Sequence, residues 1–128
     1  DCDVLQADGG TRIASIVGGF FALVDCISYL YNEKIIKKIC IKDFIGAVSV
    51  GLWNGNYILD LTFDEDSTAA VDMNVVIKGN GEIVEIQGTA EHKSFSFDDL
   101  NKFLDLANKG IKEIVDMERN LLKDILII

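Results

Sequence analysis

Residues with the chemistry of an anion-binding turn lie near the start of the chain. Gly9, Gly10, Thr11 and Arg12 immediately precede a segment in which apolar residues recur with a helical period. Glycines permit a tight turn and a close approach of the backbone to a ligand, and the Thr11 side chain can cap the helix. Arg12 opposes the helix dipole unless an anion binds there. Considered locally, a glycine turn with a solvated arginine explains the same motif.

A second group of residues is acidic and favours a cation. Residues 44–77 contain no lysine or arginine but include the carboxylates Asp60, Asp64, Glu65, Asp66 and Asp72. Carboxylates without counter-ions repel one another, and hard divalent cations take carboxylate oxygens. Asp72 lies in a predicted strand, where its side chain is better fixed than on a loop. A solvated acidic turn is the alternative, and it is the usual meaning of such a charge run.

Composition limits the classes of protein to consider. The chain has 128 residues, 49% of them hydrophobic, which suits one domain with a packed core. Its net charge of −9 argues against an extended nucleic-acid surface on this chain by itself. The apolar residues 13–30 are interrupted by polar residues and predict a buried helix, not a membrane span. His92, the single histidine, is interpreted as a surface residue.

The three cysteines suit a reducing cytoplasm. Cys2, Cys26 and Cys40 lie far apart, with neither a disulfide framework nor a zinc spacing. Cys26 falls near the apolar face of the first predicted helix and is interpreted as a small buried hydrophobe.

The order of predicted elements is strand, helix, four strands, helix. The first strand covers residues 1–6, the first helix runs from Thr11 to about Asn32, and the four strands cover residues 45–53, 57–63, 69–78 and 82–87. Asn54-Gly55 is a hairpin signal, and Ser96 with Asp99 forms an approximate capping box at the last helix. These features predict an α+β fold in which both helices cover one face of an antiparallel meander.

Three segments together resemble the ribonuclease PH family of bacterial phosphate-dependent 3′→5′ exoribonucleases. They are DVLQADGGTR, then EDS followed by DMNVV, and finally VEIQGTAE. The segments occur in the family's order and spacing, and the resemblance extends over essentially the whole chain. It implies a partial ribosomal protein S5 domain 2-like α+β fold.

The resemblance also implies roles for particular residues. Orthophosphate, the co-substrate, would bind Gly10, Thr11 and Arg12, and Asp66 and Asp72 would be the catalytic carboxylates that hold Mg²⁺ or Mn²⁺. Phosphate would attack the last phosphodiester of an RNA 3′ end, typically that of a tRNA precursor, and release a nucleoside diphosphate. The reaction brings two anions together, so it needs both an anion cradle and a cation or acid.

Residues 1–128 match only the C-terminal half of the family domain. The other half would bring a further phosphate-binding arginine and a basic RNA-facing surface. We therefore expect an N-terminal half as partner, a homo-oligomeric ring of dimers, a cytoplasmic location and no membrane. An open sheet edge and the apolar residues 125–128 also favour association. The alternatives are a non-catalytic assembly module and a domain that binds only phosphate or a metal.

Overall fold

A four-stranded antiparallel sheet lies between two long helices in the computed structural model, which describes residues 1–126. The elements are α1 (Thr11–Asn32), β1 (Ile45–Trp53), β2 (Asn56–Leu59), α2 (Phe63–Asp66), β3 (Val71–Lys78), β4 (Ile83–Ala90) and α3 (Phe97–Leu122). The strand order is β2-β1-β3-β4, and every neighbouring pair is antiparallel. The predicted α+β class with four antiparallel strands is confirmed.

The predicted strand in residues 1–6 is wrong, because this segment contains no strand. An alternating segment becomes a strand only where another strand offers it hydrogen bonds. Here the segment lies against α1 instead, where the Cys2 thiol donates to the Ser15 carbonyl oxygen at 3.6 Å.

The sheet is not a meander, because β1 separates β2 from β3. The predicted strand at residues 57–63 ends early, at Leu59. Asp60 then adopts a left-handed backbone with φ 60°, and Thr62 caps α2. The chain therefore leaves the sheet after β2 and returns on the other side of β1. The Asn54-Gly55 hairpin between β1 and β2 is present as predicted.

The two long helices cover opposite faces of the sheet. Ala47 packs with Ile13 of α1, whereas an added Cβ at Gly46 would lie 2.8 Å from the Ile111 side chain of α3. Successive strand residues point to opposite faces, so the prediction that both helices share one face is wrong. We call these sides the α1 face, which carries Ala47, and the α3 face, which carries Val48.

The α3 face holds most of the hydrophobic core. Buried side chains of β1 and β3 meet α3 at Phe103, Ala107 and Ile111. Gly110 allows close packing, since a Cβ there would lie 2.9 Å from Leu59 Cδ2. The predicted capping box is confirmed, because Ser96 and Asp99 exchange both hydrogen bonds at the start of α3.

The predicted apolar tail lies only partly within the described residues. Leu126 is buried and packs with the core, with Ile125 partly buried beside it. The remainder of that prediction, Ile127 and Ile128, lies outside the described residues.

Helix α1 has the predicted bounds but is far more exposed than predicted. Its buried residues are Ile13, Phe20 and Val24, and Cys26 is exposed. The helix lies over one side of β1, so only one stripe of it is covered. By length and composition α1 could cross a membrane, a weak indication that signal sequences and the core helices of soluble proteins also give.

Candidate active site

The glycine turn before α1 is held tightly against the segment that leads into α2. A Cβ at Gly9 would lie 1.9 Å from the Leu61 carbonyl oxygen, so this position requires glycine. Gly10 is the N-cap of α1 and has φ 70°, in the left-handed region. The predicted capping role of Thr11 is wrong, because Thr11 is the first helical residue. Within residues 1–126 no side chain caps α1, which leaves its first N–H groups directed outward.

Arg12 makes a bidentate ion pair with Glu85 of β4. Its Nη1 lies 2.8 Å from Glu85 Oε1, and Nη2 lies 3.0 Å from Oε2. The hydrogen bonds from Arg12 lower the pKa of Glu85, and Glu85 in turn raises the pKa of Arg12. A guanidinium has five N–H donors. Because Glu85 engages the two terminal nitrogens, Arg12 keeps donors for a second anion.

The acidic segment is an ordered helical turn. Thr62 Oγ1 accepts from Glu65 N–H, and the Glu65 carboxylate accepts from Thr62 N–H, which makes a capping box for α2. Glu65 is therefore used in the structure of the turn. Asp66, the last residue of α2, is half-buried.

Asp66 approaches Asp72, which lies in β3. Burial raises the pKa of Asp72, and the neighbouring carboxylates of Asp66 and Glu91 raise it further. The charged form of Asp72 is therefore disfavoured first by burial and second by a like charge nearby. Among residues 1–126 no group of three or more Asp, Glu, His or Cys side chains is placed to hold an ion. Two carboxylates nevertheless fit Mg²⁺, which commonly takes one or two carboxylates together with substrate phosphates.

Polar side chains connect the turn to the two carboxylates across the α1 face. Ser49 lies opposite Asn74, and Asn74 lies opposite Gln87. Residues directly opposite in a sheet share a face. A Cβ at Gly10 would be 3.8 Å from Ser49 Oγ. Asp72 lies two residues before Asn74 on the same face of β3, about 7 Å along the strand.

The structure therefore brings the two predicted groups together. Gly10, Thr11 and Arg12 lie at one end of the polar strip on the α1 face, and Asp66 and Asp72 lie at the other. His92 is exposed, as predicted.

Two further residues of this region, Asp8 and Glu85, were not identified from the sequence. Asp8 Oδ1 accepts from Gly9 N–H at 2.9 Å and from Phe63 N–H at 2.7 Å. Both residues lie in segments that match the family, but nothing in those segments indicates their partners. The pairing of Glu85 with Arg12 depends on how α1 crosses β4.

Comparisons with known proteins identify the family of this α+β domain. Residues 43–110 match domain 2 of the 3′ exoribonuclease family. The chain belongs to this family, and the partial S5 domain 2-like fold predicted from the sequence agrees with the structure.

Relatives named ribonuclease PH confirm the resemblance seen in the sequence. The chain is 52% identical over 122 residues to ribonuclease PH of Syntrophomonas wolfei, which covers 95% of this chain and 51% of that protein. It is 50% identical to ribonuclease PH of Moorella thermoacetica over 98% of this chain and 50% of that protein. It is 51% identical to ribonuclease PH of Corynebacterium kroppenstedtii over 95% of this chain and 48% of that protein. The chain thus spans about half the length of the curated relatives it matches, corresponding to their C-terminal half.

Proposed function

We propose that this chain is the C-terminal half of a phosphate-dependent 3′→5′ exoribonuclease that trims the 3′ ends of tRNA precursors. The observation that carries the proposal is that the glycine turn and the Asp66–Asp72 pair lie near the same α1 face, a few residue positions apart along the strands. A phosphorolytic enzyme needs this arrangement because an anionic nucleophile must meet an anionic diester.

Gly10, Thr11 and Arg12 are the proposed orthophosphate site. The outward N–H groups of the first α1 turn and the helix dipole favour an anion there. Arg12 adds a guanidinium group, and its ion pair with Glu85 fixes the orientation of that group. A bound phosphate oxygen would attack the terminal phosphodiester. A new P–O bond forms, the bond to the 3′ oxygen breaks, and that oxygen takes up a proton as the nucleoside diphosphate leaves.

Asp66 and Asp72 are the proposed catalytic carboxylates and the ligands for Mg²⁺ or Mn²⁺. Burial and the neighbouring Asp66 carboxylate both raise the pKa of Asp72, and a cation between the two carboxylates would offset this unfavourable charge. When bound, the ion would supply positive charge near the leaving oxygen. Asp72 is held in position by β3, and Asp66 is held by α2.

The RNA partner needs positive charge that this chain lacks. With a net charge of −9, the chain cannot by itself attract a polyanion along an extended groove. We therefore include in the proposal an N-terminal half that supplies the basic surface. The cytoplasm is the proposed location because the substrate is cellular RNA.

Apolar surface on two elements supports a homo-oligomer, proposed here as a ring of dimers. Leu23 and Tyr29 of α1 are 51% and 62% exposed, and Val84 and Ile86 of the edge strand β4 are 53% and 42% exposed. Exposed edges and apolar patches are sites of association. The same surface favours a second candidate function, a non-catalytic assembly module.

A product assay separates the two functions. The chain, with and without the N-terminal half, is incubated with a short RNA, MgCl₂ and phosphate, and nucleotides are analysed by chromatography. Nucleoside diphosphates that require phosphate support the proposal. Nucleoside monophosphates would indicate hydrolysis instead. Intact RNA in the presence of both halves would leave the assembly module as the function.

A further inference from the structure

Asp8 links the glycine turn to the acidic turn. One oxygen, Oδ1, accepts from Gly9 N–H at 2.9 Å and from Phe63 N–H at 2.7 Å, and Phe63 is 55 residues away. These two hydrogen bonds lower the pKa of Asp8, the bond from Phe63 having the larger effect. The carboxylate therefore stays charged and bonded at neutral pH.

The bond to Phe63 reaches α2, which is otherwise held through its flanking residues, since Leu61 and Ala69 are buried and Leu61 N–H donates to Ser49 Oγ. Phe63 begins α2 and Asp66 ends it, but none of the α2 residues is buried. The Thr62–Glu65 capping box lies within the turn and does not fix it to the rest of the molecule. On the other side, Gly9 has its backbone against Leu61 O, so a small shift of either turn would move the other.

We propose that Asp8 is a positioning residue that sets the separation between the phosphate-binding turn and the Asp66–Asp72 pair. The inference rests on the function proposed above. Its physical basis is that charge-assisted hydrogen bonds to backbone N–H groups are stronger than neutral ones. Two such bonds on one oxygen fix two backbone segments relative to each other, whereas a bond to Gly9 alone would only shape the local turn.

The link can be tested in the full chain without any activity. Amide hydrogen exchange is measured by NMR in wild type, Asp8→Ala, Asp8→Asn and the control Asp3→Ala, which removes another exposed carboxylate of the same segment. We expect Asp8→Ala to speed exchange at Gly9 and Phe63 by about tenfold. Asp8→Asn keeps an acceptor oxygen, so its exchange rates at Gly9 and Phe63 should lie between those of wild type and Asp8→Ala. Equal exchange at Phe63 in Asp8→Ala and Asp3→Ala would overturn the inference.

The positioning role is tested by steady-state kinetics with the chain and the N-terminal half combined. Asp8→Ala should raise the KM for phosphate and lower kcat, each by about tenfold, while the KM for RNA stays within about twofold of wild type. Asp8→Asn should recover most of both parameters, and Asp3→Ala should match wild type. A lower amount of folded protein with unchanged KM and kcat would show a purely structural role and overturn the inference.

The two proposals fail in different ways. If wild type releases no nucleoside diphosphate, the proposed function fails and the positioning role fails with it. If wild type is active and Asp8→Ala has the same KM for phosphate and the same kcat, only the Asp8 inference fails.

Discussion

The two faces of the same four strands differ in how much of their surface is apolar and buried. On the α3 face, β1 and β3 contribute Val48, Val50, Val71 and Val75 to a buried apolar core. On the α1 face, neighbouring positions of the same strands carry Ser49, Asp72 and Asn74, with Gln87 beside them on β4. The α3 face therefore supplies most of the burial free energy, whereas the α1 face combines a small apolar cluster of Ile13, Ala47 and Val76 with polar groups at fixed spacings.

This difference shows how the molecule can carry like charges close together. Asp72 is held beside Asp66 although burial and repulsion both oppose its charge. Such an unfavourable arrangement persists only when the surrounding structure holds both residues in place. The packed α3 face provides that support, since each strand residue on the α1 face is fixed by its buried neighbours on either side. Because successive strand residues point to opposite faces, most of the buried core lies on the α3 face and the polar groups lie on the α1 face.

The largest expected effect is on stability and comes from the α3 face. Phe103 is completely buried between Tyr57 and Phe95. Phe103→Ala should lower the free energy of unfolding by about 3–5 kcal/mol, through lost burial and the cavity left behind. Urea unfolding measures the change, and Phe97→Ala, at an exposed position, is the control. A Phe103→Ala change below 1 kcal/mol would contradict the assignment of the core to this face.

The next effect is on turnover and comes from the α1 face. Asp72→Asn should reduce kcat in the assembled enzyme by about 100-fold. Its free energy of unfolding should stay equal or rise, because the substitution removes a repelled charge. The matched control is Asp64→Asn, an exposed acid on α2. An Asp72→Asn enzyme with wild-type kcat would show that Asp72 is structural. Loss of the magnesium response in both Asp66→Asn and Asp72→Asn would sharpen the assignment.

A smaller effect is expected on phosphate binding. Arg12→Ala should weaken phosphate affinity by about 10- to 100-fold, since charge-assisted hydrogen bonds are lost. Arg12→Lys should restore affinity only partly, because a point charge lacks the planar fork. Calorimetry on the assembled enzyme measures both, with Arg119→Ala as the control from α3. Equal phosphate affinities in Arg12→Ala and Arg119→Ala would remove the anion site from α1.

The smallest effect concerns a buried acid on α3. Glu118 is 1% exposed, and neither carboxylate oxygen meets hydrogen-bond geometry with a partner among residues 1–126. Burial raises its pKa from 4.5 to about 7, against the opposing effects of the Ile45 backbone and the Arg119 charge.

This raised pKa predicts the direction of a pH dependence. Because the folded chain holds the proton more tightly, the contribution of Glu118 to stability is complete below pH 4.5 and is lost as the pH rises through 7. Glu118→Gln, which has no proton to lose, should unfold with less pH dependence between pH 6 and 8, the difference being about 1 kcal/mol. Parallel pH profiles of thermal unfolding for the two proteins would refute this, and Glu113→Gln, an exposed acid, is the control.

Local patterns were enough to predict several elements. The helical period gave both bounds of α1, Asn54-Gly55 gave the hairpin, and Ser96 with Asp99 gave the start of α3. In each case the signal depends on residues close in sequence. The three matching segments likewise predicted the family, because a match between amino-acid sequences does not depend on how the chain folds. The residues of the proposed site follow from the same segments and stay predictions.

Long-range pairing was decided only by the tertiary structure. Nothing within residues 1–6 shows that no strand lies beside them, and nothing in β2 shows that β3 pairs with β1. Strand order and the placement of α1 and α3 on opposite faces follow from the burial of all the apolar surfaces at once. The contacts of Asp8 with Phe63 and of Arg12 with Glu85 join residues 55 and 73 positions apart. The sequence specified the residues that are proposed to bind and react, while packing among residues 1–126 determined which of them meet.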